Sequence, residues 1–226
     1  MKKAYMLFLI TFLSGCAAAV SGNVAVNNTK WQSWQGRGHA EISEDSILYR
    51  PDNLQDEEYD YDIEGRGPAL ILSKNVPGKK WVLDAFPMFF SSDKVYNRFS
   101  FGLWIGKDGT RPSLASKGAD AVVSIRRTRG PERSDNTFSL VIRDSGGTKT
   151  VSLPMLSSSF RFERDKNEII IYYSADYKVS YKEAGRVSMP GKSSVLFFMG
   201  GRYDGQIFGD PRMSMRSLQL NGEKFF

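Results

Sequence analysis

The chain has one cysteine and one histidine in 226 residues. No disulfide can close within it, so an exported form would rely on core packing alone. With His39 as the sole histidine, neither a transition-metal site nor a serine–histidine relay is expected. No apolar run approaches the roughly 20 residues of a membrane-spanning helix, and no stretch keeps a helical period. Charge of one sign is scarce too: 31 basic against 25 acidic residues give +6, too mild a surplus for a nucleic-acid groove. Aromatics, by contrast, are plentiful. Fifteen Phe, 10 Tyr and 4 Trp in a chain that is 41% hydrophobic suit one all-β domain with a substantial core, or a tight pair of smaller ones.

The start of the chain is an address. Residues 1–15, "MKKAYMLFLITFLSG", place Lys2 and Lys3 before an apolar run from Ala4 to Leu13, too short to span a bilayer and shaped like an export signal. "LSGC", Leu13 to Cys16, resembles the lipobox of bacterial lipoproteins. The resemblance implies cleavage before Cys16, a diacylglycerol on its thiol and an acylated new amino terminus. Two or three acyl chains, at about 0.8 kcal/mol per buried methylene, anchor stably. Ala17 stands where an Asp would imply inner-membrane retention, so the resemblance points to the outer membrane, with the domain facing the periplasm or the outside. Loss of the leader removes Lys2 and Lys3 and lowers the formal charge to +4. Residues 16–30 then read as the lipidated Cys and a flexible tether reaching about 20 Å.

From Trp31 onward, residues 31–226 read as a single all-β domain, a β-sandwich or a barrel. Short apolar alternations at 69–73, 80–90, 98–106, 121–127, 137–144, 160–164, 168–174, 177–181, 194–200 and 213–220 predict strands. The breaks between them, among them "GKDGTRP", "RGPERSDN", "DSGGTK", "DKN" and "MPGK", are turn-formers, and residues 112–121 could hold one helical turn. The succession "RFSFGLWIG", "SFRFERDKNEIIIYYSAD", "VLFFMGG" and "MSMRSLQLNG" resembles the concanavalin A-like lectin/glucanase superfamily. That implies an all-β concanavalin A-like jelly-roll sandwich of two antiparallel sheets, its last strand in the sheet that holds the N-terminal strand.

Several motifs invite chemistry. Glu163, Asp165 and Glu168 have the E-x-D-x-x-E spacing of laminarinase-type endoglucanases, whose acids share one face of one strand. Here the intervening Arg164, Lys166 and Asn167 could not line a core face, and "DKN" is a hairpin turn that puts the acids at a solvent-exposed mouth. No catalytic residue is expected. "GRVSMPGKSS" (185–194) has five residues between Gly185 and Gly191, where a phosphate-binding loop has four, and reads as a turn. "DEEYDYDIE" (56–64) has the oxygen ligands calcium takes but not the spacing of a calcium loop. It reads as a solvated acidic loop, and no cofactor is expected. Arg126, Arg127, Arg129 and Arg133 in "IRRTRGPER" would meet anionic lipids or acidic glycans in an exported protein; a hydrated hairpin loop is the plainer reading.

The strand "RFSFGLWIG" is the most informative. Alternation puts Phe99, Phe101, Leu103 and Ile105 on the core face and Trp104 on the other, beside Gly102 and Gly106. An outward indole flanked by small residues is either a platform for a sugar ring or is covered by a loop or by residues near Trp31 and Trp34. Tyr172 and Arg126 would join it if their strands are adjacent, with Arg202, Tyr203 and Asp204 as a rim. The resulting expectation is a lipid-anchored envelope protein that binds a carbohydrate or other envelope polymer around Trp104. The alternatives are a structural lipoprotein that docks another envelope protein, or a glycan hydrolase or lyase using acids such as Asp84, Glu163 or Glu168.

Overall fold

The computed structural model describes residues 32–34, 39–43, 46–50, 69–71, 80–90, 96–107, 119–189, 193–203 and 211–225. Its strands form two antiparallel sheets. The first has the order β1 (Gln32–Trp34), β4 (Ala69–Ile71), β13 (Ser193–Tyr203), β6 (Asn97–Lys107), β7 (Ala119–Arg129), β8 (Thr137–Asp144), β9 (Gly147–Ser152). The second runs β12 (Lys182–Ser188), β11 (Glu168–Ser174), β10 (Ser159–Asp165), β5 (Lys80–Phe90), β14 (Arg212–Leu220), β3 (Ile47–Arg50), β2 (His39–Ile42), with β15 (Glu223–Lys224) on β14. The two-sheet sandwich implied by the resemblance is therefore present. The closing strand β14 shares its sheet with β2 and β3, while β1 lies in the other sheet.

Side-chain alternation decides which face closes. Phe99, Phe101, Leu103 and Ile105 of β6 point inward and are all but inaccessible, as are Leu83 and Ala85 of β5, Phe160 and Phe162 of β10, and Ile169 and Ile171 of β11. Phe101 and Phe160 meet from opposite sheets at 5.2 Å between ring centroids, and Phe138 meets Phe160 at 5.6 Å. Both contacts are edge-on, the geometry in which one ring's positive edge meets the other's negative face.

Pro87 interrupts the ladder of β5, since it has no N–H to donate. The partner strand adapts there: its register slips between Met215, opposite Pro87, and Ser217, opposite Phe86, leaving Arg216 as the extra, exposed residue. That is a β-bulge placed where a bond is missing.

The sandwich has two unlike ends. One carries the tight turns of β8–β9 (Asp144 to Gly147) and β10–β11 (Asp165 to Glu168), and the starts of β7 and β13. The other carries the β7–β8 connection with its short 3-10 turn (Arg133–Asp135), residues 153–158 between β9 and β10, and residues 175–181 between β11 and β12.

Three local expectations need correction. "YKVSY" (177–181) is turn and bend, because Asp176 and the serines around it satisfy the backbone locally. "DSGGTK" ends in strand, with Gly147 at φ 117 opening β9. "GRVS" within "GRVSMPGKSS" belongs to β12, with Val187 and Met189 in the core. The acidic segment 56–64 and most of 112–121 lie outside the described residues.

Gly102 has a structural reason. A Cβ there would collide with the carbonyl oxygen of Val123 on the neighbouring strand, which is backbone and cannot move aside. Gly102→Ala is expected to cost about 2 kcal/mol or more, read as a lower urea midpoint at unchanged slope.

Candidate functional site

The outward face of the first sheet is closed at its centre. Trp104 is only 5% exposed and forms a second apolar cluster with Val122, Leu196 and Phe198. The six-membered ring of its indole sits against Gly106, where any Cβ would collide with it. Arg126 is on the adjacent strand and the same face, four residues along from Val122, and is half-buried. Tyr172 is not a neighbour, since β11 belongs to the other sheet and its outward face lies on the opposite side of the sandwich. Arg202 and Tyr203 end β13 opposite Arg98 and Asn97; their side chains, and Asp204, lie outside the described residues. At this exposure Trp104 is not an open platform for a sugar ring.

The open polar face is on the second sheet. Register aligns one residue from each of five neighbouring strands: Glu183 opposite Tyr172, Tyr172 opposite Arg161, Arg161 opposite Asp84, Asp84 opposite Gln219. With strands about 4.8 Å apart, this polar row spans about 19 Å. Its centre is a two-point ion pair. Arg161 donates from Nε to Asp84 Oδ1 at 2.7 Å and from a terminal nitrogen to Oδ2 at 3.0 Å. The pairing fixes both side chains, because the planar guanidinium matches the carboxylate. It also raises Arg161 above its ordinary pKa. The Asp84 side chain is 11% exposed and that of Arg161 33%.

The next row holds Glu163, opposite Ile170 and Val82. Burial, then the charges of Glu163 and Glu183, push the Tyr172 phenol up. The E-x-D-x-x-E acids are thus on the outward face across a hairpin, with Lys166 at φ 58 in the turn. Asp165 lies 3.6 Å from Lys80 and Glu168 3.4 Å from Arg186. Arg164 departs from expectation: it points to the core side, is 8% exposed, and donates from Nε to the Lys166 carbonyl at 3.2 Å. Burial lowers its pKa.

Residues 175–181 fold over the upper edge of this face. Asp176 organises them, accepting from the hydroxyls of Ser174 and Ser180 and from the Ser180 amide at 2.9 Å. These bonds hold its carboxyl well below the ordinary carboxylate range and stand in for a backbone turn. The loop then sets Lys178 Nζ 3.9 Å over the Phe86 ring and Tyr181 4.4 Å from the Arg161 guanidinium. Beneath it, Ser159 is fully buried with its hydroxyl unpaired among the described residues, and the Tyr181 hydroxyl is likewise shielded without a well-formed hydrogen bond. Sequence reasoning named Tyr172 and Asp84 separately but missed Arg161 and the grouping, because Asp84 and Arg161 are 77 residues apart in the chain. The available signal was the alternation of polar residues opposite Phe160 and Phe162 in "SFRFERD". Among the described residues, no group of three or more His, Cys, Asp or Glu could hold a metal ion.

Burial, then the Asp84 charge, pushes the Tyr181 phenol up to about 12. A tyrosine ionises later here than in the unfolded chain, so its contribution to stability is complete below pH 10 and is lost as pH rises through 12. Absorbance titration should show one phenol ionising near the top of that window. Tyr181→Phe should remove that late step and leave the others in place.

No family model matches the sequence, and no curated protein matches it. Solved structures do. The fold is similar to the legume lectin-like domain from Entamoeba histolytica, at 10% identity and TM-score 0.50, covering 84% of this chain and 88% of that one. It is similar to the VIP36 exoplasmic/lumenal domain in its Ca2+/Man2-bound form, at 8% identity and TM-score 0.51, covering 85% and 80%. A GH43 protein from Bacillus licheniformis matches at 11% identity and TM-score 0.54, over 86% of this chain but only 37% of that one. The likeness is one of architecture: the domain is a concanavalin A-like sandwich of two antiparallel sheets.

Proposed function

We propose that the protein is an exported, lipid-anchored protein of the bacterial outer membrane that binds a carbohydrate or related envelope polymer without cutting it. The binding face is the polar row across the second sheet. Export and anchoring rest on the leader and the "LSGC" motif with Cys16. The single observation that carries the binding reading is the Glu183–Tyr172–Arg161–Asp84–Gln219 row with its fixed ion pair. Donors and acceptors already held in place lose little freedom on binding, and Tyr172 and Tyr181 add aromatic surface suited to the apolar faces of sugar rings. A row of about 19 Å accommodates a short oligosaccharide. The lectin-like neighbours, one of them solved with Ca2+/Man2, support the ligand class. The engagement of Asp165 by Lys80 and of Glu168 by Arg186 supports binding over hydrolysis.

The test is a glycan array followed by calorimetry on residues 30–226, which contain every described strand. Tyr172→Ala should weaken binding of any hit about tenfold, with its circular dichroism unchanged. Trp104→Phe should bind like the parent. The reverse pattern would return the site to the first sheet, and release of reducing ends from the bound glycan would replace binding with hydrolysis.

A further inference from the structure

Two residues toward the β10–β11 hairpin, a second outward row runs beside the polar one. It sets Arg186 opposite Ile170, Ile170 opposite Glu163 and Glu163 opposite Val82. Glu163 is half-buried at its centre, with an aliphatic side chain on each side. The other carboxylates described on the outward side of β5, β10, β11, β12 and the 175–181 loop are all engaged. Arg161 holds Asp84, Lys80 holds Asp165, Arg186 holds Glu168 and Glu183, and Ser174 and Ser180 donate to Asp176. Glu163 makes neither a hydrogen bond nor an ion pair among the described residues; only its charge is felt, by Arg161 and the Tyr172 phenol.

The cations around it are committed or out of line. Arg161, two residues along the same strand, gives Nε and a terminal nitrogen to Asp84. Arg186 lies between Glu183 and Glu168, and Lys80 faces Asp165. Lys166 occupies the hairpin turn past Asp165. Lys178 over Phe86, Lys182 opposite Tyr173 and Arg216 in the β14 bulge all lie beyond the Arg161 row, and Lys224 stands opposite Gln219 at its end.

An ionised carboxylate only accepts hydrogen bonds, so a group resting on Glu163 must donate. A second anion there would meet its charge directly. Ile170 and Val82 offer C–H surface on either side, and Tyr172 lies diagonally across, about 7–8 Å away. A sugar ring with adjacent free hydroxyls fits all of these. The hydroxyls donate to the two carboxylate oxygens while the ring carbons lie on the aliphatic and phenol surface. The flanking acids Asp84 and Asp165 are both paired, which leaves no second free carboxyl beside Glu163 for hydrolysis.

We infer that Glu163 is a ligand-binding residue and that the face takes an uncharged glycan through a pair of adjacent hydroxyls. The inference rests on the binding reading above and narrows its ligand from envelope polymers in general to neutral sugars.

Calorimetry on residues 30–226 with four probes tests it: mannotetraose and xylotetraose as neutral glycans, tetragalacturonate as an acidic one, and a glucosamine tetramer as a cationic one. At least one neutral probe should bind, with little change between low and high salt, and tetragalacturonate should not. Glu163→Gln keeps the shape and removes the charge, so it should weaken the neutral probe about tenfold with thermal melting unchanged. Leu156→Ser, at a position 80% exposed in the 153–158 loop, should bind like the parent. Equal affinity in Glu163→Gln overturns the role of Glu163 and leaves the binding reading standing. Preference for tetragalacturonate, or a salt-sensitive preference for the glucosamine tetramer, overturns the neutral ligand and also leaves that reading standing. A parent that binds none of the four overturns the inference, and the broader glycan array then decides the binding reading separately.

Discussion

The contact of Phe160 with Phe101 and Phe138 is the constraint on which the rest of the molecule depends. It joins the sheets at their middle, and each of these fully buried rings contributes about 1.5–3 kcal/mol through burial. Because a strand alternates, fixing Phe160 and Phe162 inward fixes Arg161 and Glu163 outward. The register with β5 then sets Asp84 directly opposite Arg161. A slip by one residue would exchange the two faces, burying the ion pair and exposing the phenylalanines. The polar row on the second sheet is thus a by-product of core register.

That dependence explains which features could be read from the sequence. Long strands such as β5, β8 and β11 show their alternation or their β-branched and aromatic content within one stretch, and their limits follow from composition. β9 is "GTKTVS", exposed on nearly every residue, and an edge strand without an apolar face has no periodic signal. Residues 177–181 show the converse error. Their alternation of Tyr, Val and Tyr looks like a strand, yet Asp176 and Ser180 hold them as a turn, with Tyr177 and Lys178 at φ 53 and 85.

The site shows a different limit. Alternation placed Trp104 correctly on the outward side of β6, but whether an outward face is open depends on what lies over it, and that is a tertiary property. The indole is buried with Val122, Leu196 and Phe198. On the other sheet, Asp84 is the one charge inside an apolar stretch of β5, while Arg161 is one of several charges in β10. Their meaning arises only when the strands pair, since a sheltered charge left without its partner is strongly disfavoured.

The most direct measurement is hydroxyl-radical footprinting of the domain with and without bacterial envelope polysaccharide. Protection should fall on Tyr172 and Tyr181, while Leu156 and Val179 keep their reactivity. Protection confined to the first sheet, or none at saturating polysaccharide, would contradict the assignment of ligand binding to the Arg161–Asp84 face.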